Sequence, residues 1–204
     1  MDDKTHRADL APRSDILTKS GTYFSFLDPE NSVFTIEDVA HGLANTCRFA
    51  GQCREFYSVA QHSVLVSQLV RTEFALEGLI HDAAEAFLGD VTRPLKALLP
   101  EYKAIEKRVE PVVHARFGIS FIPDCVKRAD LIALYLEQKF LMPDHDDEWP
   151  CLSGIGPEAE RAIGAIQMLQ PLCPWRPAIA KNMFLSRFNH LTKTSQPWTY
   201  SLLD

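Results

Sequence analysis

An all-α single domain is the fold class this sequence predicts, and three observations predict it. Apolar residues recur at helical spacing through most of the chain, and those segments open and close on recognisable caps and stops. Only the short stretch Tyr23-Phe24-Ser25-Phe26 reads as extended. At 204 residues and 46% apolar content the chain can bury a full core, and it carries no internal repeat or low-complexity segment.

Residues 1–34 read as a loose lead-in that contains the extended stretch. Residues 35–140 read as the helical core. Thr35 caps a first helix, Asp38 answers it from the third helical position, and Ile36, Val39, Ala40 and Leu43 form its apolar stripe. Ser58 opens a second helix through Val59, Val64, Leu65 and Leu69. A third is expected without a break from Phe74 to Leu88, stopped by Gly89. A fourth covers Tyr102 to Phe117 and stops at Gly118; a fifth begins after Pro123, with Val126, Ile132, Leu136 and Phe140 on one face. Pro143 and the acidic run Asp144 to Glu148 break the pattern. Residues 141–204 read as a helical extension of the same domain, with helices at Pro157 to Leu169 and Pro177 to Leu191 and a polar tail.

Composition excludes several classes of function. The net charge of -6 argues against stable nucleic-acid binding, which needs a basic face to offset phosphates. A small phosphorylated ligand stays compatible, because a bound metal and a few arginines reverse the local field. The five cysteines form no CxxC pair, so neither a zinc ribbon nor a redox motif is expected. No run approaches the roughly 18 apolar residues of a membrane span, and Met1 to Ser20 lacks the apolar centre of a signal peptide. A cytoplasmic protein with reduced thiols and no membrane partner is the expectation.

The chemistry concentrates at His81-Asp82, read with His62 before it and Asp130 after it. Two imidazoles and two carboxylates suit one divalent ion of the Co, Mn, Zn, Fe or Mg group, with coordination positions left for water and substrate. His81-Asp82 follows Leu79-Ile80 and precedes Ala83-Ala84, so polar groups point into a packed interior, where charge needs a partner. Folding the second and third helices antiparallel, through a connection near Thr72 and Glu73, brings His62 opposite His81. Glu85 shares the helical face of His81 and Asp82 and is placed to hydrogen-bond a water. Asp90 follows the Gly89 stop, where a loop carries its carboxylate over the site. Arg93 and Lys96 come next as cations for phosphate oxygens. By contrast, Asp144-His145-Asp146-Asp147 reads as a solvated loop, Cys47 and Cys53 as small core residues, and His114 as a helix-surface residue.

These stretches resemble a known family. Tyr57-Ser-Val-Ala-Gln-His62-Ser, Ile80-His-Asp-Ala-Ala-Glu85, Leu88-Gly-Asp90-Val-Thr-Arg-Pro-Leu-Lys96, Glu101-Tyr-Lys-Ala-Ile-Glu-Lys107 and Lys127-Arg-Ala-Asp130 look like the HD-domain metal-dependent phosphohydrolases. The likeness is nearest the bacterial 5'-deoxynucleotidase branch and related deoxynucleotide triphosphohydrolases, and it spans about Thr35 to Phe140. The resemblance implies an HD-domain helical bundle, metal ligation by His62, His81, Asp82 and Asp130, and catalytic roles for Glu85 and Asp90. It also implies a phosphate-contacting arginine at Arg48 and a homo-oligomer. In the nucleotidases a Trp that helps sense deoxyribose follows this arginine, and here the residue is Phe49.

The function so implied is a divalent-metal-dependent phosphohydrolase of small-molecule nucleotides, with deoxynucleoside 5'-monophosphates as the leading substrate. Arg48, Phe49, Arg93 and Lys96 are its candidate substrate contacts. A deoxynucleoside triphosphate triphosphohydrolase is the alternative, and it needs more cations, which Lys103, Lys107 and Arg108 supply if their helix leans over the pocket. A non-catalytic metal-containing nucleotide sensor would need the ligands but not Glu85 and Asp90. Cyclic-nucleotide or alarmone hydrolysis is disfavoured, because the extra histidines of the two-metal branch are not apparent after His81.

Overall fold

Thr35 starts the helical part of the chain with a complete capping box. Its side chain accepts from the Asp38 backbone N–H, and the Asp38 carboxylate accepts from the Thr35 backbone N–H. The helix that follows, α1 (Ile36–Asn45), buries Val39, Ala40, Leu43 and Ala44. The computed structural model describes residues 13–169 and 172–193, the side chains of 164–169 excepted; residues 1–12 of the lead-in and the polar tail from 194 lie outside them.

Helix α2 (Val59–Leu69) lies between two apolar clusters and is buried on every side from Val59 to Ser67. A helix surrounded in this way is the centre of its fold. Its Val59, Ala60 and Val64 pack with α1, α3 (Ala75–Ile80), α4 (Glu85–Leu88), α6 (Pro100–Arg116) and α9 (Pro177–Lys193). Its Leu65 and Val66 pack with α7 (Asp124–Leu141) and the start of α8 (Gly156–Leu169). The short α5 (Arg93–Ala97), which the sequence pattern did not suggest, links α4 to α6. The all-α class holds, with one small hairpin added.

That hairpin pairs β1 (Asp15–Leu17) antiparallel with β2 (Tyr23–Ser25) in the register Ile16 to Phe24. Phe24 is fully buried and stacks on Phe87 of α4 with ring centroids 4.0 Å apart, while Phe34 meets both rings edge-on. The extended segment of the lead-in is thus part of the core that fixes α4.

The C-terminal extension also packs on the core. The buried Gln61 side chain donates to the Cys173 carbonyl (2.8 Å) and accepts from the Trp175 N–H (2.8 Å). Arg187 of α9 reaches Ser67 Oγ (3.1 Å) and the Ser67 carbonyl (3.0 Å) near the end of α2.

Two expectations change. The third helix is interrupted: α3 ends at Ile80, residues 81–84 form turns, and α4 starts at Glu85. The cause is competition for backbone acceptors. His81 Nδ1 donates to the Gly78 carbonyl (2.8 Å), and the His81 carbonyl accepts from His114 Nε2 (3.0 Å), so tight bonds such as Ala83 N–H to Ile80 O replace the helical ladder. On α7 the buried stripe drifts to Leu141 and leaves Phe140 42% exposed.

Candidate metal centre

Each side chain of the site is placed by a local device. Ser58 caps α2 by accepting from the Gln61 N–H (3.2 Å), which puts His62 in the first turns of that helix. The 3-10 turn Thr72–Phe74 then reverses the chain into α3. Helices α2 and α3 approach closely at Gly78, where a Cβ would lie 3.1 Å from the Ser67 Cα. The pairings of Ser67 with Gly78 and of His62 with His81 run in opposite directions, so the two helices are antiparallel, as the sequence predicts.

Four donor groups meet there. His62 Nε2 lies 3.3 Å from His81 Nε2, 3.2 Å from Asp130 Oδ1 and 3.4 Å from Asp82 Oδ2; His81 Nε2 lies 3.1 Å from Asp82 Oδ2. Ligands about 2.1 Å from an ion and at right angles to one another stand about 3.0 Å apart, so this spacing fits a metal. Donor atoms of His62, His81 and Asp130 all lie within 4.8 Å of one another. Both imidazoles present Nε2, because each Nδ1–H is engaged behind the ring, on Glu137 Oε1 for His62 (2.6 Å) and on the Gly78 carbonyl for His81 (2.8 Å). The His62 side chain is fully buried, whereas Asp82 and Asp130 keep 22% and 26% of their side-chain surface, which leaves the carboxylate side open to a ligand.

The electrostatics fit a cation as well. Burial and Arg48 oppose charge on His62, yet Glu137, Asp130 and Asp82 outweigh them and hold its pKa well above the ordinary imidazole value. Burial likewise opposes charge on His81, but Asp82 raises its pKa. Burial alone would raise Asp82 and Asp130, and the two histidines hold both carboxyls below their usual range. A ring of anions that draws protons onto its imidazoles has the charge balance that suits a divalent ion in place of those protons.

Around the ligands stand the other candidates. Arg48 begins a 3-10 turn, Arg48–Gly51, in which Phe49 (φ 54) and Ala50 (φ 52) are both left-handed. Such a conformation costs non-glycine residues about 1–2 kcal/mol each. Its N–H bonds the Tyr57 carbonyl (2.9 Å), and the Cys47–Ser58 bridge ties the turn to the start of α2. The buried Arg48 guanidinium approaches Glu137 Oε2 (3.0 Å, an ion pair off the line of a hydrogen bond) and Asp82 Oδ2 (3.7 Å), and its Nε is buried without a hydrogen-bond partner. Glu85 also has a buried, unpartnered oxygen, Oε2. Burial, with Asp82 and Asp90 close by, pushes its carboxyl well above the usual range. Asp90 is raised as well, chiefly by burial, with Arg48 opposing. Lys96 is taken up by Glu106 and lies over the Tyr102 ring (5.7 Å). Arg93 is exposed on α5, and its side chain makes no hydrogen bond or ion pair among the described residues.

Sequence reasoning missed two residues here. His114 is buried rather than on the surface, and burial lowers its pKa; the neutral ring props the His81 carbonyl. Glu137 is fully buried behind His62, although it sits in a polar-looking Glu-Gln-Lys run. The signal was its spacing: Asp130, Ala133 and Glu137 share one helical face. The Asp144–Asp147 loop is exposed, as expected, with Asp144 paired to Arg54.

No family model matches the chain. It is 42% identical to the uncharacterized protein YfdR of Escherichia coli K12 over 179 residues, covering 87% of this chain and 96% of that protein. The chain belongs to the YfdR family. An uncharacterized Rhodobacter capsulatus protein is 40% identical over 121 residues, which cover 54% of this chain and 62% of that protein. The aligned YfdR length is long enough to include the core helices and much of the C-terminal extension that packs on them.

Proposed function

We propose that this YfdR-family chain is an HD-domain metal-dependent phosphohydrolase that cleaves nucleoside 5'-monophosphates, deoxynucleotides first among them. The observation that carries this reading is one constellation: four converging metal donors beside a buried arginine and a half-buried glutamate whose Oε2 is buried and unpartnered. A divalent ion held by His62, His81, Asp82 and Asp130 supplies Lewis acidity, which neutralises phosphate charge and makes water a stronger nucleophile.

The chain's own groups supply the rest. The Arg48 guanidinium stands 3.7 Å from Asp82 and would hold a phosphate oxygen there, in a buried setting that strengthens such a contact. Burial with Asp82 and Asp90 raises the Glu85 carboxyl, and a carboxylate so raised is a stronger base toward attacking water. Asp90, also raised, is the group to protonate the leaving oxygen. A sensor would have no use for this pair, which favours catalysis over binding alone.

The surroundings favour one phosphate over three. Of the α6 side chains, Tyr102, Glu106 and Glu110 lie toward the site and His114 bonds the His81 carbonyl as a neutral ring, while burial with Glu106 pushes Glu110 up to about 7. Lys103, Lys107 and Arg108 are exposed on that helix, and Lys96 is already neutralised by Glu106. The aromatic residues near Arg48 are the candidates to meet the nucleoside. Phe49 lies over Arg48 (5.4 Å) and meets Trp149 at 6.0 Å, and Trp149 stacks on His145 at the edge of a cleft of about 630 Å³.

Ion-exchange analysis of products tests the proposal, using Co²⁺ or Mn²⁺ and a panel of ribo- and deoxynucleoside mono-, di- and triphosphates. Nucleoside plus phosphate from monophosphates is the expected result. Intact triphosphate released from triphosphates would move the assignment to a triphosphohydrolase, and no turnover by metal-loaded protein would remove both.

A further inference from the structure

Two metal-binding imidazoles need a partner behind the ring, and the chain uses two different kinds. His81 makes do with a backbone carbonyl. His62 has a carboxylate, Glu137, at zero exposure, although a buried carboxylate costs more than a carbonyl unless its charge is matched. The match is Arg48, 3.0 Å from the second Glu137 oxygen. Glu137 lies on the Nδ1 side of the His62 ring, away from the Nε2 that faces His81 and Asp130, so it supports the centre from behind without binding the ion.

We infer, building on the metal-centre and phosphate-site reading above, that Glu137 is a positioning residue that couples the two halves of the site. One oxygen orients the His62 imidazole toward the ion, and the other holds the Arg48 guanidinium beside Asp82, where a phosphate oxygen would sit. Metal affinity and anion affinity therefore depend on a single carboxylate. A residue that only balanced the buried charge of Arg48 would affect stability and leave the metal affinity of the folded protein unchanged.

The test titrates Co²⁺, and then inorganic phosphate at saturating Co²⁺, into wild-type, Glu137→Gln and Glu137→Asp protein by calorimetry. The visible Co²⁺ absorption band and the metal-free thermal midpoint are recorded for each. Gln removes the charge that Arg48 requires, and Asp is too short to reach both partners. Both variants are expected to bind Co²⁺ about 10–100-fold more weakly, with an altered band and an accompanying loss of phosphate affinity. A lower midpoint with both affinities and the band unchanged would overturn the inference. Should Glu137→Gln fail to fold, Glu137→Asp decides by the same readouts. Neither affinity requires turnover. A wild-type protein that releases no phosphate from nucleotides removes the phosphohydrolase reading alone, and active wild-type protein beside unchanged variant affinities removes the role of Glu137 alone.

Discussion

Glu85 and the His81-Asp82 pair sit a few residues apart yet should fail differently when changed. Asp82 Oδ2 stands within 3.4 Å of both imidazole Nε2 atoms, so Asp82→Ala or His81→Ala should abolish metal content and turnover together. Glu85→Gln should retain the metal and lower kcat by about 10²–10⁴, the usual contribution of a general base. Normal turnover by that variant would show that the proton goes elsewhere. Metal binding should also depend on pH with a definite sign. His62 and His81 have raised pKa values, so protons compete with the metal for Nε2 and affinity should rise with pH until both imidazoles are neutral. Asp82 and Asp130 are lowered and already ionised there, so they add nothing to the rise. Calorimetry in buffers of different ionisation enthalpy should therefore find protons released on Co²⁺ binding at neutral pH; binding without proton release would contradict the imidazole assignment.

At the scale of elements, the short α4 carries Glu85 and is clamped from two sides. Phe24 of the hairpin stacks on Phe87, and a Cβ at Gly42 of α1 would come within 2.5 Å of the Ala86 carbonyl oxygen. Phe24→Ala should destabilise the protein by about 3–5 kcal/mol, the range for emptying a buried aromatic site. Gly42→Ala should push α4 away from α1 and lower kcat more than metal affinity, because α4 begins at Glu85 and follows the candidate ligands His81 and Asp82. Denaturant unfolding of the first variant and kinetics with metal titration of the second check the two outcomes. The caps and stops that define these helices are local and were readable as sequence: Thr35 with Asp38, Ser58, Gly89 and Gly118 each act within a turn of their own position. The break after Ile80 was not readable, because it depends on His114, which reaches the His81 carbonyl from α6. Glu137 was hidden for a similar reason, since its burial depends on Arg48 and His62, far away in sequence.

For the whole molecule, the site collects carboxylates from α4, from the turns on either side of it and from α7, and a cation should hold these elements together. Ligand present at about one hundred times its Kd adds roughly 2.7 kcal/mol to folding. For a domain of this size that corresponds to a rise in Tm of roughly 5–11 °C. Co²⁺ should produce such a rise, and EDTA should reverse it. The candidate ligands were the most readable part of the site, because charged groups set among Leu79, Ile80, Ala83 and Ala129 stand out against an apolar pattern. Glu137 and His114 sit at polar-looking helix positions and reach His62 and the His81 carbonyl only once the fold assembles them. A crystal of Mn²⁺-loaded protein, measured for anomalous scattering, tests the central claim most directly. A single peak is predicted within bonding distance of His62 Nε2, His81 Nε2 and carboxylate oxygens of Asp82 and Asp130. A peak in the acidic 144–148 loop, with none between the two imidazoles, would contradict it.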